Sequence, residues 1–219
     1  MTTALVTGGN RGIGLELCRQ LKERGYDVVA ACRRSSAGLD ALGIRVMTAV
    51  DVTDAGSVAA LARQLSGTRI DLLINNAGIL TVESLADLDY ARIREQFEVN
   101  TLGPLRVTTE LLPNLHEGAK VVIVTSRMGS IGDNGSGGYY GYRISKAGVN
   151  MAGVSLARDL KSRGIGVFIL HPGMVATEMT DGQGIPPAES AAMLLARIEE
   201  FGMAQTGTFH HANGETLPW

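Results

Sequence analysis

Residues 4–14 read Ala-Leu-Val-Thr-Gly-Gly-Asn-Arg-Gly-Ile-Gly, a short apolar run that ends in a glycine-rich loop. Behind this loop, apolar residues recur at helical spacing until Gly25. Glycines between a strand and a helix let the backbone approach a pyrophosphate, and the free N–H groups of the helix start attract its negative charge. The order of strand, loop and helix therefore predicts a nucleotide-binding loop rather than an ordinary glycine-rich turn.

The rest of the chain continues the alternation of strands and helices. Further strands are predicted at 28–32, 44–50, 70–74, 120–125, 166–170 and 206–210. Helices are predicted around 58–65, over 87–113 with a break near Gly103-Pro104, over 139–163 and over 187–201. Nearly all-apolar strands between helices indicate a parallel sheet that is covered on both faces. The sequence therefore predicts a single doubly wound α/β domain of the Rossmann type over residues 1–219.

Composition excludes several classes of protein. Of the 219 residues, 45% are hydrophobic and 19% are charged, which fits a globular chain and not a disordered one. The net charge of −2 gives no electrostatic basis for binding nucleic acid. No apolar stretch approaches the ~20 residues of a membrane span, and a strand that begins at Ala4 leaves no room for a signal peptide. We expect a cytoplasmic protein with no nucleic-acid or membrane partner.

Neither the cysteines nor the histidines have the spacing of a metal site. Cys18 and Cys32 are interpreted as reduced packing residues. His210 and His211 would point to opposite faces of a strand, so they would chelate poorly. His171 is interpreted as structural. We expect no metal.

The segment Tyr142-Arg143-Ile144-Ser145-Lys146 indicates acid–base chemistry. Residues four apart on a helix share a face, so a phenol and an ammonium are brought together. A free phenol has a pKa near ~10, and a fixed cation nearby can lower that value. Ser126 ends the predicted strand 120–125, where a hydroxyl could hydrogen bond a substrate carbonyl, and Ser130 is a second candidate.

The end of the second strand bears on the choice of nucleotide. An acidic side chain there would bind a ribose 2′-hydroxyl, but the sequence has Arg33 and Arg34 instead. Guanidinium groups suit a 2′-phosphate, and Arg11 in the glycine loop could add a third. NADP is therefore favoured over NAD, the alternative being that both arginines are solvated surface charges.

Asn100 lies inside a predicted helix, where asparagine is mildly unfavourable. This position indicates a packing, kinking or functional role without choosing among them.

Taken together, these residues resemble the short-chain dehydrogenase/reductase family. The resemblance rests on Thr-Gly-x-x-x-Gly-Ile-Gly at 7–14, Asp51-Val52, Asn-Asn-Ala-Gly at 75–78, Asn100, Ser126, Tyr-x-x-x-Lys at 142–146, and Pro172-Gly173 with Thr177. Within the family, residues 126–131 and 214–219 look most like the C-factor and sniffer-type carbonyl reductases. One departure is the interval of 16 residues between Ser126 and Tyr142, which is longer than usual and leaves Ser130 as an alternative.

The resemblance implies a role for each matching residue. Tyr142 would donate the proton to a carbonyl oxygen, Ser126 would polarise that carbonyl, and Lys146 would bind the nicotinamide ribose and lower the tyrosine pKa. Asn100 would hold a water that links Lys146 to solvent. The implied cofactor-binding residues are Gly8, Asn10, Arg11, Gly12, Ile13, Gly14, Arg33, Asp51, Val52, Asn75, Ala77, Gly78, Tyr142, Lys146, Pro172, Gly173, Val175 and Thr177.

The resulting interpretation is an NADP(H)-dependent enzyme that reduces a ketone or aldehyde, or catalyses the reverse reaction. An apolar substrate pocket is expected, with plain packing as the alternative role of its candidate walls Met128, Ile131, Tyr139, Met174 and Met179. The chief rival is a cofactor-binding regulatory or signalling protein with incidental turnover. A sugar-nucleotide epimerase is less consistent with the glycine spacing and the short chain.

A homodimer or homotetramer is also expected. Ala147, Gly148, Ala152, Gly153 and Ala157 are small residues that would permit close contact between helices of two subunits.

Overall fold

A computed structural model describes residues 2–219, and its central element is one sheet of seven strands. The strands are β1 (Thr3–Thr7), β2 (Asp27–Ala31), β3 (Arg45–Met47), β4 (Ile70–Asn75), β5 (Leu115–Val124), β6 (Gly166–His171) and β7 (Phe209–His211). The helices are α1 (Gly12–Glu23), α2 (Ala37–Asp40), α3 (Ala55–Gln64), α4 (Tyr90–Phe97), α5 (Gly103–Glu110), α6 (Tyr140–Leu160) and α7 (Pro187–Glu200). All strand pairs are parallel, in the order β3-β2-β1-β4-β5-β6-β7. The predicted doubly wound parallel sheet is confirmed.

Alternate residues of each strand enter two different cores, one on each face of the sheet. Leu5 and Leu73 belong to the core that α3, α5 and α6 cover. Val6 and Ile74 belong to the core that α1 and α7 cover. Because helices cover both faces, a ligand has access mainly at the ends of the strands. Most of the predicted site residues follow carboxyl ends, which is where ligands bind in such folds, whereas Asn100, Tyr142 and Lys146 lie on helical elements.

Several predicted boundaries differ from those of the structure. The strand predicted at 44–50 is only Arg45–Met47, because the chain turns away at Ala49, whose φ of 57° is left-handed. The closing strand is Phe209–His211 rather than 206–210. Strand β5 begins five residues earlier than predicted, at Leu115, next to Ile70 of β4.

The helical region predicted at 87–113 consists of two helices joined by a wide turn. Helix α4 begins after Asp89, whose carboxylate accepts the N–H of Ala91 at 2.8 Å. A π-helical turn, Glu98–Leu102, then precedes α5. The irregularity therefore lies just before the predicted break at Gly103-Pro104, and it contains Asn100. Such turns occur often at functional sites.

The longest helix, α6, packs against its own chain through the small residues that were expected to contact another subunit. A Cβ on Gly148 would lie 3.0 Å from the Phe97 ring, and one on Gly153 would lie 2.8 Å from Ile169. Ala157 is buried in the core. These three small residues therefore pack against their own chain, and the expected contact between subunits stays a prediction. Among residues 2–219, no helix combines the length and the apolar character needed to cross a membrane.

Candidate active site

The glycine-rich loop between β1 and α1 is held by side chains from the ends of two strands. Gly8 has a φ of 67°, and a Cβ on Gly14 would overlap the Gly8 carbonyl oxygen. Asn76 donates from Nδ2 to the carbonyl oxygens of Thr7 at 3.0 Å and Gly8 at 3.3 Å. In return, Thr7 Oγ1 accepts the N–H groups of Asn76 and Ala77, each at 3.1 Å. Asn76 belongs to the Asn-Asn-Ala-Gly motif, but no role for its side chain was predicted from the sequence, since its partners lie almost 70 residues away.

At the end of β2, Arg33 and Arg34 are both exposed. Nearby, the carboxylate of Asp51 accepts the N–H of Thr53 at 2.9 Å and its hydroxyl at 2.7 Å. These hydrogen bonds lower the pKa of Asp51, and the positive charges of Arg33 and Arg106 act in the same direction. This rim of the groove is therefore positively charged, with one ionised carboxylate that is already hydrogen bonded.

At two of the expected nucleotide contacts, Val52 and Asn75, the side chain is buried and cannot reach the nucleotide. Val52 is buried, and a Cβ on Gly103 would lie 2.9 Å from its Cγ2. Asn75 is only 2% exposed, and its Nδ2 donates to Thr108 Oγ1 at 3.1 Å. The side chain of Asn75 is therefore used for packing behind the sheet end, and Ala77 and Gly78 remain at the groove.

The segment after β6 reaches across the groove to the glycine loop. Its residues Met174 and Ala176 exchange backbone hydrogen bonds with Ile185, which folds the segment back on itself. The guanidinium of Arg11 forms a salt bridge with Glu178, and a Cβ on Gly12 would lie 3.3 Å from Thr177. Arg11 is therefore paired with Glu178 in this structure, and its expected contact with a phosphate stays a prediction.

The structure distinguishes between the two candidate serines. Ser126 follows β5 and begins a 3₁₀ turn, Arg127–Gly129, with its Oγ accepting the N–H of Met128 at 3.1 Å. Its hydroxyl also lies close enough to the Tyr142 phenol to act on the pKa of that group. Ser130 instead donates to the Trp219 carbonyl oxygen at 3.2 Å and accepts the N–H of Asp133 at 3.0 Å. The geometry therefore favours Ser126.

Tyr142 and Lys146 lie side by side on α6, both buried at the end of β5. The Lys146 Nζ is 5.6 Å from the centre of the Tyr142 ring and donates to the Val124 carbonyl oxygen at 3.0 Å. Burial raises the pKa of Tyr142 to about 12, and the nearby Ser126 hydroxyl acts in the opposite direction. Burial also lowers the pKa of Lys146 to about 8.

The expected lowering of the tyrosine pKa by Lys146 is therefore not seen in this structure. The ammonium lies over the ring and is directed to a backbone carbonyl, so desolvation of the phenol is the larger effect. At neutral pH the phenol is protonated and able to donate.

Asn100 connects three parts of the site from the π-helical turn. Its Oδ1 accepts the N–H of Ile79 and its Nδ2 donates to the Ile79 carbonyl oxygen, both at 2.8 Å. The same Nδ2 donates to Ser145 Oγ at 3.0 Å. Asn100 therefore holds the loop after β4 against α6, next to Lys146. Its expected water-holding role stays a prediction.

The two C-terminal histidines and His171 have no arrangement that would hold a metal. The rings of His171 and His211 meet edge to face at 4.8 Å, and His210 packs against Phe201. Burial lowers the pKa of His171 to about 3, so its imidazole is neutral.

The residues along the carboxyl ends of the strands have the chemistry that a dinucleotide requires. The glycine cradle has no room for a Cβ at position 14, the Arg33 rim is positive, and the strand ends lead to Ser126, Tyr142 and Lys146. A proton donor, a hydroxyl and a buried ammonium around one position can polarise and protonate a carbonyl group.

Comparisons with known proteins agree with this geometry. A family model described as short chain dehydrogenase matches residues 2–185. The chain is 48% identical over all of its length to the 1-hydroxy-2-glutathionyl-2-methyl-3-butene dehydrogenase of Rhodococcus sp. (strain AD45), and it covers 100% of that protein. It is 42% identical over 73% of its length to the C-signal of Myxococcus xanthus, of which it covers 99%.

Solved structures of carbonyl reductases are also similar to this chain. The NADPH-bound carbonyl reductase from chicken fatty liver has a TM-score of 0.92 at 28% identity, with 100% of this chain and 99% of the other covered. The carbonyl reductase Sniffer of D. melanogaster has a TM-score of 0.93 at 27% identity, with both chains fully covered.

Proposed function

The chain belongs to the short chain dehydrogenase family, and from that premise we propose that it transfers a hydride between NADP(H) and the carbonyl carbon of a ketone or aldehyde. The reverse reaction would oxidise the corresponding alcohol. The observation that carries the proposal is that Tyr142 and Lys146 lie side by side against the end of β5, where Ser126 follows the strand.

The nucleotide would be held by this chain's own groups along that groove. The N–H groups at the start of α1 would face the pyrophosphate, Asp51 and the backbone of Val52 the adenosine, and Lys146 the nicotinamide ribose. Pro172, Gly173, Val175 and Thr177 would hold the carboxamide end. Bound there, the nicotinamide ring supplies or accepts the hydride.

The protein's own part of the reaction is to place the carbonyl and to provide its proton. Ser126 Oγ would donate a hydrogen bond to the carbonyl oxygen, which increases the positive charge on the carbon. Tyr142 would then donate its phenolic proton to the same oxygen. A pKa of about 12 keeps the phenol protonated at neutral pH, which is the form needed for reduction.

A preference for NADP(H) is supported by Arg33 and Arg34, whose exposed guanidiniums face solvent at the end of β2. A bound NADPH in a structural neighbour also supports it. If both arginines contact the 2′-phosphate, their replacement weakens NADPH binding and leaves NADH binding unchanged. Arg63 is an exposed arginine of α3 and provides a matched control.

The substrate class is proposed from the residues around the site. Ile131 and Tyr139 are exposed on the loop between Ser126 and Tyr142, and Met174 and Met179 are exposed on the segment after β6, so an apolar carbonyl compound is favoured. The name of the Rhodococcus relative adds a second substrate class, an alcohol that carries a glutathionyl group.

The experiment follows NADPH absorbance with a panel of aromatic diketones, quinones and aldehydes, and follows NADP⁺ reduction with a glutathionyl alcohol. Tyr142→Phe should lower turnover by roughly 10²-fold or more, whereas Tyr90→Phe, which changes an exposed tyrosine, should not. In Arg33→Ala/Arg34→Ala, the NADPH dissociation constant should rise about 10-fold or more. Equal use of NADH and NADPH by the unchanged protein would contradict the cofactor proposal.

A regulatory protein is the second candidate, and the relative named C-signal favours it. In that case NADP(H) occupancy sets a conformation, and turnover is incidental. Tight NADPH binding without reduction of any carbonyl would support this candidate and reject the enzymatic one.

A further inference from the structure

Glu83 is a buried carboxylate that the mechanism above does not use. It lies in the loop between β4 and α4, where Val82 and Ser84 are exposed, yet Glu83 is only 2% exposed. Its hydrogen-bond partners in residues 2–219 are neutral donors. Burying a carboxylate is unfavourable unless such donors are fixed around it, so this arrangement needs an explanation.

One oxygen of Glu83 joins the loop to α4. Its Oε1 accepts hydrogen bonds from Thr81 Oγ1 and from Gln96 Nε2, the latter at 3.0 Å. Gln96 is fully buried, and its own Oε1 accepts the N–H of Thr81 at 3.0 Å. Thr81, Glu83 and Gln96 therefore form a closed network in which each side chain fixes the next.

The other oxygen reaches the start of α6. Glu83 Oε2 accepts the N–H of Gly141 at 3.2 Å, and its carbonyl oxygen accepts the N–H of Tyr139 at 2.8 Å. Tyr139 has a left-handed φ of 52° and provides no side-chain cap for the helix. Glu83 therefore caps α6 from a distant loop, with its negative charge at the positive end of the helix.

The position of this helix start has little freedom. A Cβ on Gly141 would overlap Gln96 Nε2 and would lie 3.1 Å from the Ile93 Cα. One turn further on, Thr101 Oγ1 donates to the Ser145 carbonyl oxygen at 2.7 Å. Tyr142 lies between these two attachments, directly after the residue that Glu83 binds.

We propose that Glu83 is a positioning residue for Tyr142: its carboxylate fixes the first turn of α6 and so sets the distance between the phenol and the Ser126 hydroxyl. The kinetic consequence rests on the proposed function, whereas the structural consequence does not. In Glu83→Gln, an NH₂ group replaces one acceptor and must face a donor, so either the Gly141 contact or the Gln96 contact is lost.

The kinetic test compares Glu83→Gln with Asp87→Asn, which changes an exposed carboxylate of the same loop. For Glu83→Gln, kcat should fall about 10-fold or more, while the NADPH dissociation constant stays within about twofold of the unchanged protein. The solvent isotope effect on kcat should rise, since proton transfer from a displaced Tyr142 becomes slower. Asp87→Asn should change none of these. A kcat within about twofold in folded Glu83→Gln, or equal losses in kcat and NADPH binding, would overturn the proposal.

A second readout does not depend on turnover. Hydrogen–deuterium exchange of the peptide that contains Gly141 and Tyr142 should become faster in Glu83→Gln, with the core strands unchanged. Unchanged exchange there overturns the proposal, whereas absence of carbonyl reduction by the unchanged protein rejects only the proposed function. Should Glu83→Gln fail to fold, Glu83→Asp withdraws the carboxylate by one methylene and is judged by the same two readouts.

Discussion

Tyr142 and Lys146 are both shifted towards their neutral forms, because each is removed from water at the same buried spot. The pKa of the phenol is raised to about 12, and that of the amine is lowered to about 8. Desolvation disfavours phenolate and ammonium alike, and a 5.6 Å separation through the ring face does not offset it. Tyr142 therefore stays protonated and can donate its proton, but burial of the Lys146 ammonium destabilises the ligand-free protein.

The free energy of unfolding of the ligand-free protein should therefore depend on pH through both groups. Lys146 has a pKa of 10.5 when unfolded and about 8 when folded, so between these values the unfolded chain binds more protons. Stability contributed by this group therefore rises with pH across about 8 to 10.5. For Tyr142 the sign is opposite, and stability falls as pH rises from 10.0 to about 12.

Lys146→Met should therefore stabilise the ligand-free protein at pH 7, by roughly 2 kcal/mol after loss of the hydrogen bond to Val124. The gain should shrink as pH approaches 10. Urea unfolding at both pH values measures it, with the exposed Lys161→Met as control. A Lys146→Met protein that is less stable than Lys161→Met at pH 7 would contradict the argument.

The role of a residue could be predicted from the sequence only when its partners lie close to it in the chain. Tyr142 and Lys146 are four residues apart, and Ser126 ends a strand, so local rules located all three. Glu83 and Asn76 act on partners 58 and about 69 residues away, and no spacing indicates such contacts. The burial of Tyr142 and Lys146 was also outside the sequence pattern, which is why the rise of the tyrosine pKa by burial was not anticipated.

At the scale of elements, the reacting groups are brought together by contact between a short turn and a long helix. The 3₁₀ turn Arg127–Gly129 carries Ser126 at its start and lies directly on α6. A Cβ on Gly129 would lie 2.6 Å from the carbonyl carbon of Lys146 and 2.8 Å from its oxygen. Both of these atoms belong to the backbone of the helix, so they cannot move aside as a flexible side chain could.

Gly129→Ala should therefore separate the Ser126 turn from the helix that carries Tyr142. We expect kcat/KM to fall by roughly 10²-fold and the free energy of unfolding to fall by about 2 kcal/mol. Gly135→Ala is the matched control, since nothing lies within 4 Å of its added carbon. Carbonyl reduction and urea unfolding of the two variants measure the effects, and equal behaviour of both would show that the contact is unimportant.

The elements themselves were largely predictable, because buried parallel strands are continuous apolar runs. All seven strands and the five long helical regions were anticipated, and the errors lie at the ends. Ala49 takes a left-handed conformation that ends β3 early, although alanine carries no turn signal. The only sequence signal for the π-helical turn was Asn100, an asparagine within a helical pattern. Boundaries depend on such tertiary contacts more than on composition.

At the scale of the whole molecule, the contact between subunits of the expected oligomer would have to use exposed side chains. Gly148, Gly153 and Ala157 are occupied within the chain, but Ile144 and Met151 of the same helix are 49% and 69% exposed. Apolar side chains of this size in solvent are candidates for contact between subunits.

We still expect a dimer or tetramer, and sedimentation at micromolar protein should show it. Met151→Lys should shift the distribution towards smaller species if this face of α6 is used, whereas Lys161→Met should not. A single monomeric boundary for the unchanged protein would contradict the expectation.

The salt bridge between Arg11 and Glu178 has a consequence for rates rather than for affinity. Arg11 follows β1 and Glu178 follows β6, so the pair spans the ends of β4 and β5, roughly 14 Å of sheet. A dinucleotide bound along those strand ends, as proposed above, would have to pass this pair of side chains when it enters and leaves. Both side chains are exposed, at 63% and 79%, so dissolved salt screens their attraction. The exchange of spent for fresh nucleotide, and with it the turnover number when release is the slow step, should then quicken as ionic strength rises.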